Sequence, residues 1–282
     1  MLNTKRKINS KTINMIKHCL VSVLSLAVLL FASNGLNAQE GTSVKNINGG
    51  IIRYEHVKYY NWDSYQTGNN PRMKQMLADQ PASGMKGKVL YFTKDESLFA
   101  TDPQWPGEPP SRLTQGLLLR MSVQKPPVPS IIESYINFEK ESRTDLVELM
   151  TRRFRVEQKL ENPGWKPGTE QKKILGYVCM NASLQKDEKT IVAWYTTELP
   201  YSIGPENYRG LPGAILAVEI DGRNTFLATS VELETPAEEL IQKPSEGKKM
   251  SRKEFDKLLA QKVKEFKEDQ GKEGTSRRDS NN

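Results

Sequence analysis

The chain has 282 residues, and 41 Lys and Arg against 34 Asp and Glu give it a net charge of +7. The first 38 residues hold five basic side chains and no acidic one. The remainder is therefore nearly neutral and lacks the concentrated basic surface that nucleic-acid binding requires. Beyond residue 38 there is one cysteine, Cys179, and one histidine, His56. That excludes an internal disulfide and a Cys/His zinc site, and nothing in the pattern implies a cofactor.

Residues 1–38 have the order of a secretory signal. Lys5, Arg6, Lys7, Lys11 and Lys17 precede the apolar run Cys19–Ala32, and Leu36-Asn37-Ala38 offers a cleavage point before Gln39. The run is too short to span a bilayer as a helix, and no stop-transfer pattern follows it. Cys19 lies at the start of the run, where a lipid-accepting cysteine would follow it. The expectation is an exported chain, periplasmic or extracellular, without a transmembrane segment after cleavage.

Residues 39–250 are expected to form one domain. Residues 51–60 are rich in β-branched and aromatic side chains and read as an opening strand. Pro71–Asp79 reads as a short helix, and Gly87–Thr93 with Ser97–Ala100 as a hairpin. Residues 101–130 hold seven of the 16 prolines, interrupted only by Leu113–Val123. Because proline is excluded from central strands, a long, mostly irregular excursion is expected there. Further strands are expected at Ser134–Glu139, Leu146–Thr151 and Phe154–Gln158.

The second half has two hairpins. Ile174–Gln185 and Thr190–Thr197 flank a polar turn at 186–189. Setting Gln185 opposite Thr190 gathers Val178, Met180, Ala182 and Leu184 with Ile191, Ala193 and Tyr195 on one face. Ala214–Ile220 and Thr225–Glu234 flank Asp221-Gly222-Arg223-Asn224. Setting Ile220 opposite Thr225 gathers Ala214, Leu216, Val218 and Ile220 with Leu227, Val231 and Leu233. The fold class expected is mainly β, an antiparallel curved sheet or open half-barrel. A C-terminal amphipathic helix over 251–268 completes it, opened by the capping box Ser251-Arg252-Lys253-Glu254 and striped with Phe255, Leu258, Leu259, Val263 and Phe266. That stripe packs on its own sheet or docks on a partner; most apolar helix faces bury at home. Residues 269–282 are too polar to build a core and are expected to be disordered.

The chemistry-bearing residues form no recognisable catalytic set. A Cys179–His56 pair would need the fold to bring distant strands together, and a buried structural thiol is the alternative. In the expected register Cys179 shares its face with Tyr177, Trp194 and Glu198, and these four form the candidate ligand or partner face. Glu55, Asp63, Glu198 and Glu219 are available carboxylates, but glycoside hydrolysis is defined by a spacing in space, not in sequence. Tyr59, Tyr60, Trp62 and Tyr65 form an aromatic cluster suited to stacking or to packing. Gly204-Pro205 and Gly210-Leu211-Pro212-Gly213 are the most distinctive local feature. Leu211–Ala214 suits a type II turn, with Pro212 setting φ and Gly213 at positive φ.

The runs 174–182 (ILGYVCMNA), 193–200 (AWYTTELP), Gly204-Pro205 and 210–219 (GLPGAILAVE) resemble, in order and spacing, the GLPGLI family of exported Bacteroidota proteins. Trp165-Lys166 serves as an upstream element, and Ala214 stands where the family has leucine. The resemblance implies export and a mostly β fold, and it supplies no catalytic residues. Paired hairpins followed by a helix are also similar to open, half-barrel envelope proteins that carry lipoproteins or lipids. The function expected is non-catalytic binding of a partner protein or apolar ligand in the cell envelope. The alternatives are a secreted hydrolase and a structural accessory of an outer-membrane assembly.

Overall fold

A computed structural model describes residues 48–65, 70–186 and 188–279, with side chains through 270. The signal expected over 1–38 lies outside the described residues. Twelve strands follow in chain order: β1 (Gly49–Tyr59), β2 (Ser83–Thr93), β3 (Glu96–Thr101), β4 (Ser130–Asn137), β5 (Ser142–Leu149), β6 (Arg152–Lys159), β7 (Lys166–Ile174), β8 (Tyr177–Lys186), β9 (Lys189–Thr196), β10 (Ala214–Ile220), β11 (Asn224–Glu232) and β12 (Lys248–Ser251). They form one sheet in the order β12-β6-β5-β4-β3-β2-β1-β11-β10-β9-β8-β7. Every pairing is antiparallel except the parallel β12–β6. The edge strands β12 and β7 do not meet, so the sheet is open and not a closed barrel. Register shifts in β1/β11, β9/β10, β4/β5 and β7/β8 mark bulges, which bend and twist a sheet.

Among the described residues three α-helices accompany it: α1 (Pro71–Ala78), α2 (Arg112–Val123) and α3 (Arg252–Asp279). Asn70 caps α1, with Pro71 at its first turn, and Ser111 caps α2 by accepting from Thr114 N at 3.1 Å. The 101–130 excursion is mostly irregular, as expected, outside the 12 residues of α2. Its proline-free interval is a capped helix, which packs Leu117 and Met121 with Leu77 and Tyr65 in a satellite cluster. α3 opens on the expected capping box: Ser251 N donates to the Glu254 carboxylate at 2.7 Å and Glu254 N donates to Ser251 Oγ at 3.3 Å. Its first turn packs at home. Phe255 is buried against Val147, Leu149, Phe154 and Val156. The helix runs on to Asp279, past the point at which disorder was expected at Asp269. Glu, Lys, Gln and Arg are strong helix formers and extend it without an apolar face. Among the described residues, no helix is long and apolar enough to cross a membrane.

Two strands have no apolar periodicity to reveal them. β7 (KPGTEQKKI) is an edge strand whose lysines, proline and bulge between Pro167 and Gln171 keep it from pairing further. The expected strand over 174–185 begins too early, because Leu175 (φ +52°) and Gly176 (φ +88°) make a two-residue turn between β7 and β8. β12 is four residues long.

The β8–β9 hairpin has the expected register, with Gln185 opposite Thr190. The β10–β11 hairpin does not: Ile220 faces Asn224 and Val218 faces Phe226. Asp221 and Gly222 both take positive φ, and Arg223 N closes the turn on Ile220 O at 2.9 Å. The connection is thus three residues, one fewer than expected. Phe226 and Ala228 therefore point with Val218 and Ile220, while Leu227 turns outward and is 41% exposed.

Following opposed residues across the strands separates two faces. Lys86, His56, Phe226, Val218, Ala193 and Ala182 stand in one row, on the face that also carries Tyr54, Lys88 and Ile52. On this Tyr54 face lie Leu90, Phe92, Phe99, Ile215 and Phe226, which belong to the main core. The opposite face carries Val89, Tyr91, Leu98 and Tyr135, covered by Ile241.

Candidate functional site

Residues 197–213, between β9 and β10, contain the Gly/Pro motif and fold over the Tyr54 face. Ala214 N donates to Leu199 O and Ile215 N to Ile203 O, both at 2.9 Å, so the segment runs beside the start of β10. Tyr54, almost fully buried, donates its hydroxyl to Ile215 O at 2.8 Å. Tyr201 packs on Phe92 with ring centroids 4.9 Å apart. The chain then turns at Pro205, whose carbonyl accepts from Tyr208 N at 3.0 Å.

The glycines explain why the segment needs this composition. A Cβ on Gly204 would run into Tyr208 O, and one on Gly213 into Thr196 O. Both contacts are with backbone. The expected type II turn over Leu211–Ala214 is not formed, because Ala214 N is bonded to Leu199 O. Positive φ falls on Gly210 (+91°) and not on Gly213. Gly213 serves close approach, and Gly210 serves conformation. Leu211 is buried in the core.

Where this segment meets the β4–β5 turn and the chain after β6, a cavity of about 280 Å³ opens, lined by Phe138, Glu141, Leu160, Asn162, Ser202, Arg209 and Gly210. Its backbone is fixed from several sides. Gly210 N donates to Ser202 Oγ at 3.0 Å, Trp165 Nε1 donates to Arg209 O at 2.7 Å, and Leu160 N donates to Glu141 O at 2.7 Å. The Arg209 guanidinium lies 5.8 Å from the Phe138 ring centroid, and NH1 makes a long bond of 3.4 Å to Glu161 O. Its Nε is buried without a hydrogen-bond partner. Burial lowers the Arg209 pKa, and Glu141 opposes that shift.

A second cavity of about 360 Å³ lies between β4–β6 and residues 242–246. Its cations are already matched: Arg153 pairs with Glu246 at 2.6 Å and Lys243 with Glu157 at 3.0 Å. The Arg209 cavity differs because its guanidinium has no carboxylate within pairing distance among the described residues.

Deeper on the Tyr54 face is a row of ionisable groups. Lys88, 8% exposed, donates to Thr101 Oγ1 at 3.1 Å, and burial lowers its pKa. Burial raises the Glu206 carboxyl above the usual carboxylate range, opposed by Lys88. Glu206 also holds positive φ (51°). Buried Asp145 accepts from Ser134 at 2.7 Å and from Arg143 Nε and Gln158 at 2.9 Å. Lys88 and Glu206 interact through their charges, whereas Asp145 is held by its own hydrogen bonds to Ser134, Arg143 and Gln158.

His56 stacks on Phe226 with centroids 4.1 Å apart and planes 11° from parallel. Burial, reinforced by Lys88, Lys58 and Lys86, pushes its pKa down to about 4. Cys179 is fully buried, and burial pushes its thiol up to about 11. Cys179 is three residues from Ala182 on an unbulged strand and therefore points to the face opposite His56. The register does not bring the two together.

The other residues singled out in the sequence are placed as follows. Trp194 stands opposite Asn181 and so shares the Cys179 face; it is 8% exposed, with Lys172 Nζ 4.0 Å above its ring. Tyr177 is half-buried against the core, and Glu198 accepts from Val178 N at 2.9 Å. Neither cavity is lined by any of the four. Trp62 and Tyr65 belong to the α1–α2 cluster, and Tyr60 packs edge-on to Trp62. Arg209, Glu141 and Phe138 were not singled out; the only local signal for the cavity is the Gly/Pro punctuation beside Arg209.

Residues 183–217 match a family model described as a protein of unknown function (Porph_ging), and that stretch contains Ser202, Arg209, Gly210 and the whole Gly/Pro motif. No curated protein matches the chain. Among solved structures, PNGF-II is similar in its P21 and C2 crystal forms, at 15% and 14% identity with TM-scores of 0.46 and 0.47. The match covers 76% of this chain and 34% and 33% of the two PNGF-II chains, so this chain spans about a third of PNGF-II's length.

Proposed function

We propose that this chain is an exported cell-envelope protein that acts by binding a partner protein or a molecule within the envelope, without catalysing a reaction. The order of residues 1–38 supports export. The observation that carries the binding reading is the placement of His56 and Cys179 on opposite faces, each buried toward its uncharged form. Nucleophilic catalysis needs a base within hydrogen-bond reach of the nucleophile, and the register keeps these two apart. Both cavities are lined by charged and polar groups, which favours polar recognition over an apolar ligand. The cavity built by the Gly/Pro segment is the proposed contact. The test is a photo-crosslinking side chain in place of Ser202 in the native cell. A discrete adduct is expected at the cavity. Substrate turnover by the purified chain, abolished by His56→Gln in a folded variant, would overturn the reading.

A further inference from the structure

We infer that the Arg209 cavity is a binding site for a single carboxylate, presented by a peptide or a similar small chain. The proposal rests on the binding reading above and names the chemistry that reading leaves open. Guanidinium and carboxylate match in a planar, two-bond geometry. The Arg209 guanidinium lies beside the Phe138 ring, and its backbone is fixed by Trp165 Nε1 on Arg209 O and by Ser202 Oγ on the next amide, Gly210 N. A buried N–H left without an acceptor is costly, and Arg209 Nε is such a group. Among the described residues the guanidinium's other bond, from NH1 to Glu161 O, is long. A bound carboxylate accepts from the guanidinium where Arg209 lines the cavity.

Glu141 sets the charge of the ligand. Arg209 and Glu141 together leave the cavity close to neutral, so the positive potential at the guanidinium is weak, enough to hold one negative charge, while a phosphate dianion costs more to desolvate than it gains there. The volume of about 280 Å³ is at the small end for ligand pockets and suits a group of amino-acid size. Asn162 and the Ser202 hydroxyl line the same space and supply polar atoms for an adjoining amide. The second cavity, with its cations already paired, has no such vacancy for an anion.

The experiment uses the full chain labelled with nitrogen-15 and follows the Trp165 indole N–H, which is bonded to Arg209 O. Two probes separate the sources of the carboxylate: N-acetyl-alanyl-alanine, with only a terminal carboxylate, and an end-blocked tripeptide with one glutamate. Their uncharged amide counterparts and inorganic phosphate are run beside them. At least one carboxylate probe is expected to shift the Trp165 signal saturably by about 10 mM, the affinity of a small ligand held by one charge-assisted pair. The amides are expected to leave the signal in place, and phosphate to bind more weakly. Arg209→Gln should weaken binding roughly 10- to 100-fold. Glu141→Gln should strengthen it several-fold and keeps the test open if Arg209→Gln does not fold.

No saturable shift with either carboxylate, tighter phosphate binding, or a Glu141→Gln variant that binds no better would overturn the proposal. Absent probe binding with Ser202 crosslinks intact would remove the carboxylate site alone. Absence of both would remove the binding reading as well.

Discussion

Substituting Phe226 and Leu227 separately tests the β10–β11 register, on which the composition of each face depends. Phe226 is 1% exposed, lies between the His56 ring at 4.1 Å and the Phe99 ring at 6.0 Å, and opposes Val218. Truncation to alanine leaves a ring-sized void between strands that cannot collapse, at a cost of about 3–5 kcal/mol. Leu227 is 41% exposed. Its truncation removes only part of a leucine's transfer free energy, about 1 kcal/mol. The two variants should therefore differ by at least about 2 kcal/mol, which in urea separates their midpoints by about 1 M for a domain of this size. The assay is equilibrium unfolding followed by tryptophan fluorescence and circular dichroism, with m-values compared. If Ile220 instead opposed Thr225, Leu227 would point inward and the order would reverse. Equal costs, or a larger cost at Leu227, would refute the three-residue connection.

Three further outcomes are expected. Folded His56 has its pKa near 4 against about 6.5 in an unfolded chain, so the unfolded state takes up the proton first. Its contribution is complete above pH 6.5 and is lost as pH falls toward 4, by about 2–3 kcal/mol; urea midpoints from pH 4.5 to 7.5 should show a slope that His56→Gln flattens. The raised carboxyls Glu206 and Glu133 act in the opposite sense, with their stability contribution lost as pH rises through their folded pKa, and remain in both proteins. Gly213→Ala places a Cβ against Thr196 O and should cost about 2–3 kcal/mol, read as a lower Tm; an unchanged Tm would refute the close approach. Cys179, fully buried with its thiol near 11, should resist iodoacetamide at pH 8 and react in urea, as scored by mass spectrometry; rapid labelling of the native chain would contradict its placement.

How much was legible in the sequence depended on whether a signal was local. β1, the β8–β9 register and the α3 capping box each follow from residues within a few positions of one another. β7 was hidden because an exposed edge strand has no buried face to impose alternation, and its Lys, Pro and Gly read as loop. The β10–β11 register failed on one residue. Turn length and apolar alternation fitted two alignments, and the choice rested on Asp221 and Gly222 both adopting positive φ, which composition alone leaves undecided. The Gly/Pro segment was conspicuous, but the roles of its glycines were assigned from turn rules when one of them answers to a carbonyl on a neighbouring strand. The Arg209 cavity draws on residues from Phe138 to Gly210, and nothing in a linear pattern brings Glu141 to Arg209.

The central claim is that residues 197–213 form a rigid, hydrogen-bonded cover that pre-shapes the cavity. Residue-resolved hydrogen exchange of the backbone tests it most directly. The amides of Ala214 and Ile215, bonded to Leu199 O and Ile203 O, and of Gly210, bonded to Ser202 Oγ, should exchange slowly, with the first two comparable to the interior of β10. Exchange at the rate of an open surface loop across all three would contradict it.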